Sequence, residues 1–162
     1  MWRSFLISLF LLGCTAQKQL NLPFRMDGGV HFYAENKKVT ALHLYDKVPF
    51  QSGDWDIHWE KSDKEGFEFC DHEHKLYDPL YLLMPNGHKF HGIIYYLDSE
   101  KRWLADFSIR IRPGYSGSPV FCDEHGKLVG LISGYTAEVA FGVHVYDFVI
   151  VGKFPPKLLK KE

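Results

Sequence analysis

The chain has 162 residues, 46% of them hydrophobic and 16% aromatic, which suffices for one domain or for two small units sharing an interface. Its formal net charge is −1 with nine histidines counted neutral, so it lacks the polybasic surface through which nucleic acid is held. Thirteen Phe, nine Tyr and four Trp favour β structure.

The first residues read as an address, not as fold. Arg3 precedes an apolar run over 5–12, too short to span a bilayer but suited to the core of a signal peptide over 1–13. The run ends in Leu11-Leu12-Gly13-Cys14, which resembles the bacterial lipobox. That resemblance implies lipid on Cys14, a lipidated linker over 14–27 and a place on the cell envelope. Thr15 after the cysteine suits the outer membrane, facing the periplasm. Plain secretion after cleavage at Ala16 and an uncleaved anchor are the alternatives, and each exports the protein.

From residue 28 onward short β-branched and aromatic segments alternate with Gly, Pro, Asn and Asp clusters. Strands are expected over 30–34 and 38–42, joined by a turn at 35–37, and then around Trp55, Ile57 and Trp59. Residues 67–70 and 80–83 follow, and Pro85-Asn86-Gly87 marks the internal boundary. Beyond it, 90–97 pairs with 102–111, 118–121 pairs with 128–133, and 143–151 closes the chain. No segment of helical length keeps a 3.6-residue period, and no C-terminal helix is expected.

Two motifs carry chemistry. The first is Gly28-Gly29-Val30-His31-Phe32-Tyr33-Ala34 followed by Val39-Thr40-Ala41-Leu42-His43. The second is Gly114-Tyr115-Ser116-Gly117-Ser118-Pro119-Val120, with the hairpin His125 to Gly134 after it. Together, in this order and in a β context, they resemble the histidine corner and the nucleophile loop of the chymotrypsin-like (trypsin-like) serine peptidases, most closely the compact viral and bacterial members. The likeness covers roughly residues 24–152.

The resemblance implies an all-β fold of two packed small barrels with a minimal second barrel. The first half, 28–84, would carry the histidine and the aspartate. The second, 85–153, would carry the serine, and 154–162 would be a tail. Ser116 is then the nucleophile, His43 the general base, and the N–H groups of Gly114 and Ser116 the oxyanion hole. Ser133, Gly134 and Tyr135 would line the substrate. Ser118, next to Pro119 at a strand start, reads as structural. Tyr115 departs from the aspartate of many secreted relatives, which fits a site needing no freed N-terminus.

The carboxylate is the least determined member. The resemblance places it after a hairpin and at the start of the next apolar strand, which makes Asp78, before strand 80–83, the expected one. Asp71 and Asp56 are the alternatives, although Asp56 comes only thirteen residues after His43. Arg110 either sits at the base of a specificity pocket or, sharing a strand face with Arg112, is solvated.

Cys70-Asp71-His72-Glu73-His74, with His58, His88 and His91 elsewhere, matches no closed zinc spacing, so no metal and no cofactor are expected. Cys70 and Cys122 are more simply unpaired than bridged. The expected function is a monomeric serine endopeptidase acting on peptide or protein substrates and tethered through its N-terminal lipid. The alternatives are a catalytically idle domain that binds a peptide or protein by strand addition and a metal-binding envelope lipoprotein.

Overall fold

The computed structural model describes residues 21–46, 55–99, 101–140 and 143–159. The signal segment and Cys14 lie outside the described residues.

Two tight hairpins begin the fold. β1 (Phe24–Met26) pairs with β2 (Gly29–Ala34) through Asp27-Gly28, and β2 pairs with β3 (Lys37–Thr40) through Glu35-Asn36. All four turn residues have positive φ (53°, 80°, 42° and 60°), the two-residue geometry whose twist matches that of the flanking strands. β4 (His58–Lys61) pairs with β3 and completes a four-stranded sheet in the order β1-β2-β3-β4. Between β3 and β4 the chain forms a single helical turn, α1 (Leu42–Asp46).

The other six strands close a barrel. They are β5 (Pro79–Leu83), β6 (Lys89–Ser99), β7 (Arg102–Phe107), β8 (Pro119–Cys122), β9 (Leu128–Ala140) and β10 (Val143–Lys153). Their order around the barrel is β10-β7-β6-β5-β8-β9, and each strand has a neighbour on both sides over at least part of its length.

Alternation along β5 and β8 explains how the two units share one core. Leu80, Leu82, Val120 and Cys122 point into the barrel with Ile94, Trp103 and Val151. Leu83 and Phe121 point the other way, into a second cluster with Phe32, Val39, Ala41 and Ile57 of the first sheet. Strands buried on both faces read as unbroken apolar runs, as Leu80-Tyr81-Leu82-Leu83 does.

The all-β, two-unit architecture expected from sequence is present, with three differences in its parts. The closed barrel is the C-terminal unit, and the smaller sheet is the N-terminal one among the described residues. β5, expected in the first half, is hydrogen-bonded between β6 and β8 in the barrel. The expected tail is structured: Phe154 and Leu158, the latter on the short turn α2 (Pro156–Leu159), are buried in the first-sheet cluster. The sequence hid this turn because four residues show no period.

Leu158 is 1% exposed. Leu158→Ala is therefore expected to cost about 2–5 kcal/mol of unfolding free energy, measured by urea denaturation, whereas a free tail would register no change.

Candidate active site

The loop after β7 is anchored to the first sheet by its main chain. Val30 N–H donates to Ser116 O at 2.8 Å, and Arg25 Nη1 donates to Gly114 O at 3.1 Å. Gly117 N–H donates to Ile132 O at 2.7 Å on β9. Thr40 Oγ1 donates to Val30 O at 2.8 Å and steadies the same stretch of β2 from the other side.

Two glycines permit this close seating. Gly117 has φ +89°, and a Cβ there would lie 2.0 Å from Val30 O. A Cβ on Gly29 would meet both Leu44 Cδ1, at 2.1 Å, and Ser116 O, at 2.9 Å. The residue beside His43 and the main chain of Ser116 thus converge on Gly29.

The loop's donors are unevenly used. Tyr115 N–H goes to Arg112 O and Ser118 N–H to Tyr115 O. Among the described residues, the N–H groups of Gly114 and Ser116 donate to nothing. Gly114 has φ +95°, a conformation open mainly to glycine. Ser116 is half-buried, whereas Ser118 is fully buried with its hydroxyl unpartnered, so Ser116 is the reachable hydroxyl of the two. The Ser116 hydroxyl makes no hydrogen bond to His43 among the described residues. Such bonds often tighten only when substrate is bound.

His43 sits on α1, and its partner corrects the expectation from sequence. Asp56, not Asp78, holds the ring: His43 Nδ1 lies 2.6 Å from Asp56 Oδ2. The His43 backbone N–H donates to Asp56 Oδ1 at 2.9 Å, and Ser133 Oγ donates to Asp56 Oδ2 at 2.5 Å. The Asp56 side chain is 2% exposed, so three donors compensate a buried carboxylate.

Strand pairing brings the two residues together. Asp56 stands just before β4, whose register places His58 opposite Thr40, and Leu42 N–H donates to Asp56 O at 3.3 Å. Asp78 instead accepts from Lys75 N–H at 2.9 Å, and its Oδ2 lies 3.7 Å from His74 Nδ1. Asp71, the other alternative, is exposed beside His72.

The remaining expected residues divide. The Ser133 hydroxyl is committed to Asp56 and does not face an open cleft, a role its position on a strand gave no sign of. Gly134 is half-buried and Tyr135 is 48% exposed. Both pair with β10, while β8 reaches only as far along β9 as Leu131, so residues 133–135 have no partner on their other side among the described residues. Arg110 and Arg112 are both exposed, as a solvated face requires.

Away from this site, Cys70 and Cys122 are free and buried. Burial raises the Cys70 thiol above its ordinary range, and the adjacent Cys122 adds to the effect. Burial holds His74 below the usual histidine range against the opposing pull of Asp78.

No protein-family model matches the sequence, and no curated protein does. Solved structures do. Kallikrein-related peptidase 10 superposes with a TM-score of 0.58 at 11% identity, covering 78% of this chain and 83% of its own. Rv3671c from M. tuberculosis, in a mutant inactive form, gives 0.52 at 15% identity over 77% of this chain and 75% of its own. The tobacco etch virus protease in complex with product gives 0.51 at 12% identity over 88% and 80%.

The fold is that of the chymotrypsin-like serine proteases. In this chymotrypsin-like frame the histidine and its carboxylate come from the first sheet, and the serine loop comes from the barrel.

The two strained glycines of that loop separate local conformation from seating. Gly114→Ala adds only the strain of positive φ, roughly 1–2 kcal/mol, since its Cβ would meet nothing nearer than Arg25 Nη1 at 3.6 Å. Gly117→Ala adds the same strain and a clash with Val30 O. Urea denaturation is expected to show the larger loss for Gly117→Ala, and equal losses would mean that the loop is not held against β2.

Proposed function

We propose that the chain is a serine endopeptidase using Ser116, His43 and Asp56. The observation that carries this reading is the 2.6 Å pairing of His43 Nδ1 with a buried carboxylate that Ser133 also holds. With Nδ1 engaged as donor, Nε2 is the ring nitrogen left to take a proton.

Ser116 Oγ attacks the carbonyl carbon of a peptide bond as its proton passes to His43 Nε2. The oxygen that becomes negative takes hydrogen bonds from the N–H groups of Gly114 and Ser116, the two unspent donors of the loop. Asp56 stabilises the imidazolium without taking its proton. When the C–N bond breaks, His43 returns the proton to the leaving amine. Water, deprotonated by the same nitrogen, then hydrolyses the acyl-serine and restores Ser116. A peptide or protein substrate in extended form would lie along the unpaired side of residues 133–135 and add to β9 as a strand.

That same edge favours the second reading, a catalytically idle domain binding peptides by strand addition. Fluorophosphonate labelling decides between the two. Wild type should label and Ser116→Ala should not, with the β circular-dichroism signal unchanged. An intact wild type that fails to label supports the idle domain. Asp56→Asn should lower kcat about 10⁴-fold, the usual cost of losing the triad carboxylate, while Asp78→Asn should leave turnover near wild type. The reverse outcome would return the role to Asp78.

The envelope address rests on Leu11-Leu12-Gly13-Cys14 and is part of the same proposal. Among the described residues no helix is long and apolar enough to cross a membrane. Expressed in a Gram-negative host, the chain should incorporate labelled fatty acid and Cys14→Ser should not. A mature N-terminus at Gln17 would exclude the lipid anchor.

A further inference from the structure

On the barrel, away from His43 and Ser116, four soft or borderline ligands from two distant segments meet. Cys70 and His72 come from the connector that leaves the first sheet. Cys122 and His125 come from the end of β8 and the turn after it. The connector is fixed there by its backbone: Cys70 N–H donates to Leu128 O at 2.7 Å, and Leu128 N–H donates to Glu68 O at 2.9 Å. Cys122 pairs with Leu80, and its N–H donates to Lys127 O at 2.8 Å.

The ligand atoms of Cys70, Cys122 and His125 all lie within 4.8 Å of one another. Cys122 Sγ is 3.4 Å from His125 Nδ1, and Cys70 Sγ is 3.8 Å from His72 Nδ1. Zinc bonds of about 2.3 Å to sulfur and about 2.0 Å to nitrogen, at tetrahedral angles, set ligand atoms roughly 3.3–3.8 Å apart, with sulfur–nitrogen edges of about 3.5 Å. The two sulfur–nitrogen separations already approach the edges of such a tetrahedron.

We propose that Cys70, Cys122 and His125 bind a zinc-class divalent cation, with His72 as the fourth ligand. The His72 ring is stacked on that of His125, with centroids 3.9 Å apart and planes 11° from parallel. Its Nδ1 stands between Cys70 Sγ and Asp71 Oδ1, the latter at 3.1 Å. His72 is 53% exposed, so its ring can turn toward the thiols by giving up its stacking on His125. A cleft of about 620 Å³ lined by Cys70, His72, His74, Trp103 and Leu128 opens beside the cluster and gives the ion a way in.

Two thiolates and two neutral imidazoles balance the charge of the ion and fill four positions. None is left for water or substrate, which is the mark of a structural site. Distance agrees. From Ser118 to Cys122 the strand advances roughly 13 Å at about 3.3 Å per residue, so the ion takes no part in attack by Ser116. It clamps the connector to the far end of the strand that follows the nucleophile loop. The spacings Cys-x-His and Cys-x-x-His fall on separate segments, which is why the sequence alone, read for one closed pattern, argued for no metal.

The test is metal analysis of the purified full chain, with fluorophosphonate labelling measured separately. Wild type should carry one zinc per chain. Cobalt exchanged into it should show a thiolate-to-metal charge-transfer band and the intense visible bands of a four-coordinate ion. Cys70→Ser and Cys122→Ser should lose the ion. His125→Ala, altering an exposed residue, should weaken affinity at least about tenfold, since loss even of an outer partner costs about 10- to 100-fold. Cys14→Ser should retain the ion. A chelator should lower the thermal midpoint of wild type but not of Cys122→Ser. Absence of zinc binding in titrations of wild type would overturn the proposal, as would a Cys70–Cys122 disulfide in the isolated chain or unchanged affinity in His125→Ala.

Discussion

One stretch of main chain holds the two units in register. The carbonyl of Ser116 accepts from Val30, and the bare backbone of Gly117 rests against the Val30 carbonyl. This contact joins a loop from the barrel to the second strand of the sheet, and each chemical group of the site is placed relative to it. His43 follows the strand paired with β2, and Asp56 precedes the strand paired with that one. A side-chain contact of equal strength would tolerate slippage of an ångström or more. A backbone hydrogen bond backed by a glycine without room for a methyl group does not.

The carboxylate illustrates how burial is made tolerable. Asp56 has almost no access to water, and each of its oxygens is instead given a protein donor. Two of those donors belong to His43, one from its backbone and one from its ring. The same residue that must be oriented therefore fixes the group that orients it. Ser133 supplies the third donor from β9, so the pair also depends on the barrel. Neither unit could assemble this arrangement without the other.

Much of this was legible in the sequence. The two glycine-flanked motifs marked His43 and Ser116, and the turn residues marked most hairpins, because both signals are local. The choice of carboxylate was not local. Asp78 satisfied a rule about hairpins, whereas Asp56 reaches His43 because β4 pairs with β3 and Leu42 N–H donates to Asp56 O. A single turn of helix has no period to detect, and the same limit concealed α2. β5 was assigned to the wrong half because the Pro85-Asn86-Gly87 turn, read as a boundary, is the hairpin between two barrel strands. Cys122 and His125 looked like parts of an ordinary turn until the fold brought Cys70 to them.

The placement of Phe154 and Leu158 bears on how the protein comes into being. Both belong to the cluster with Phe32, Val39, Ala41 and Ile57, although about a hundred residues or more separate them from those residues. Chains are made from the N-terminus, and the first-made half of a protein often folds before the rest has appeared. Here that order is denied. The same cluster takes Leu83, Phe121, Leu128 and Leu131 from the barrel, so the apolar face of the first sheet is fully covered only when β5, β8, β9 and the turn after β10 are all in place. A partly made chain therefore lacks both the full cover of this sheet and the Ser133 hydroxyl that donates to Asp56.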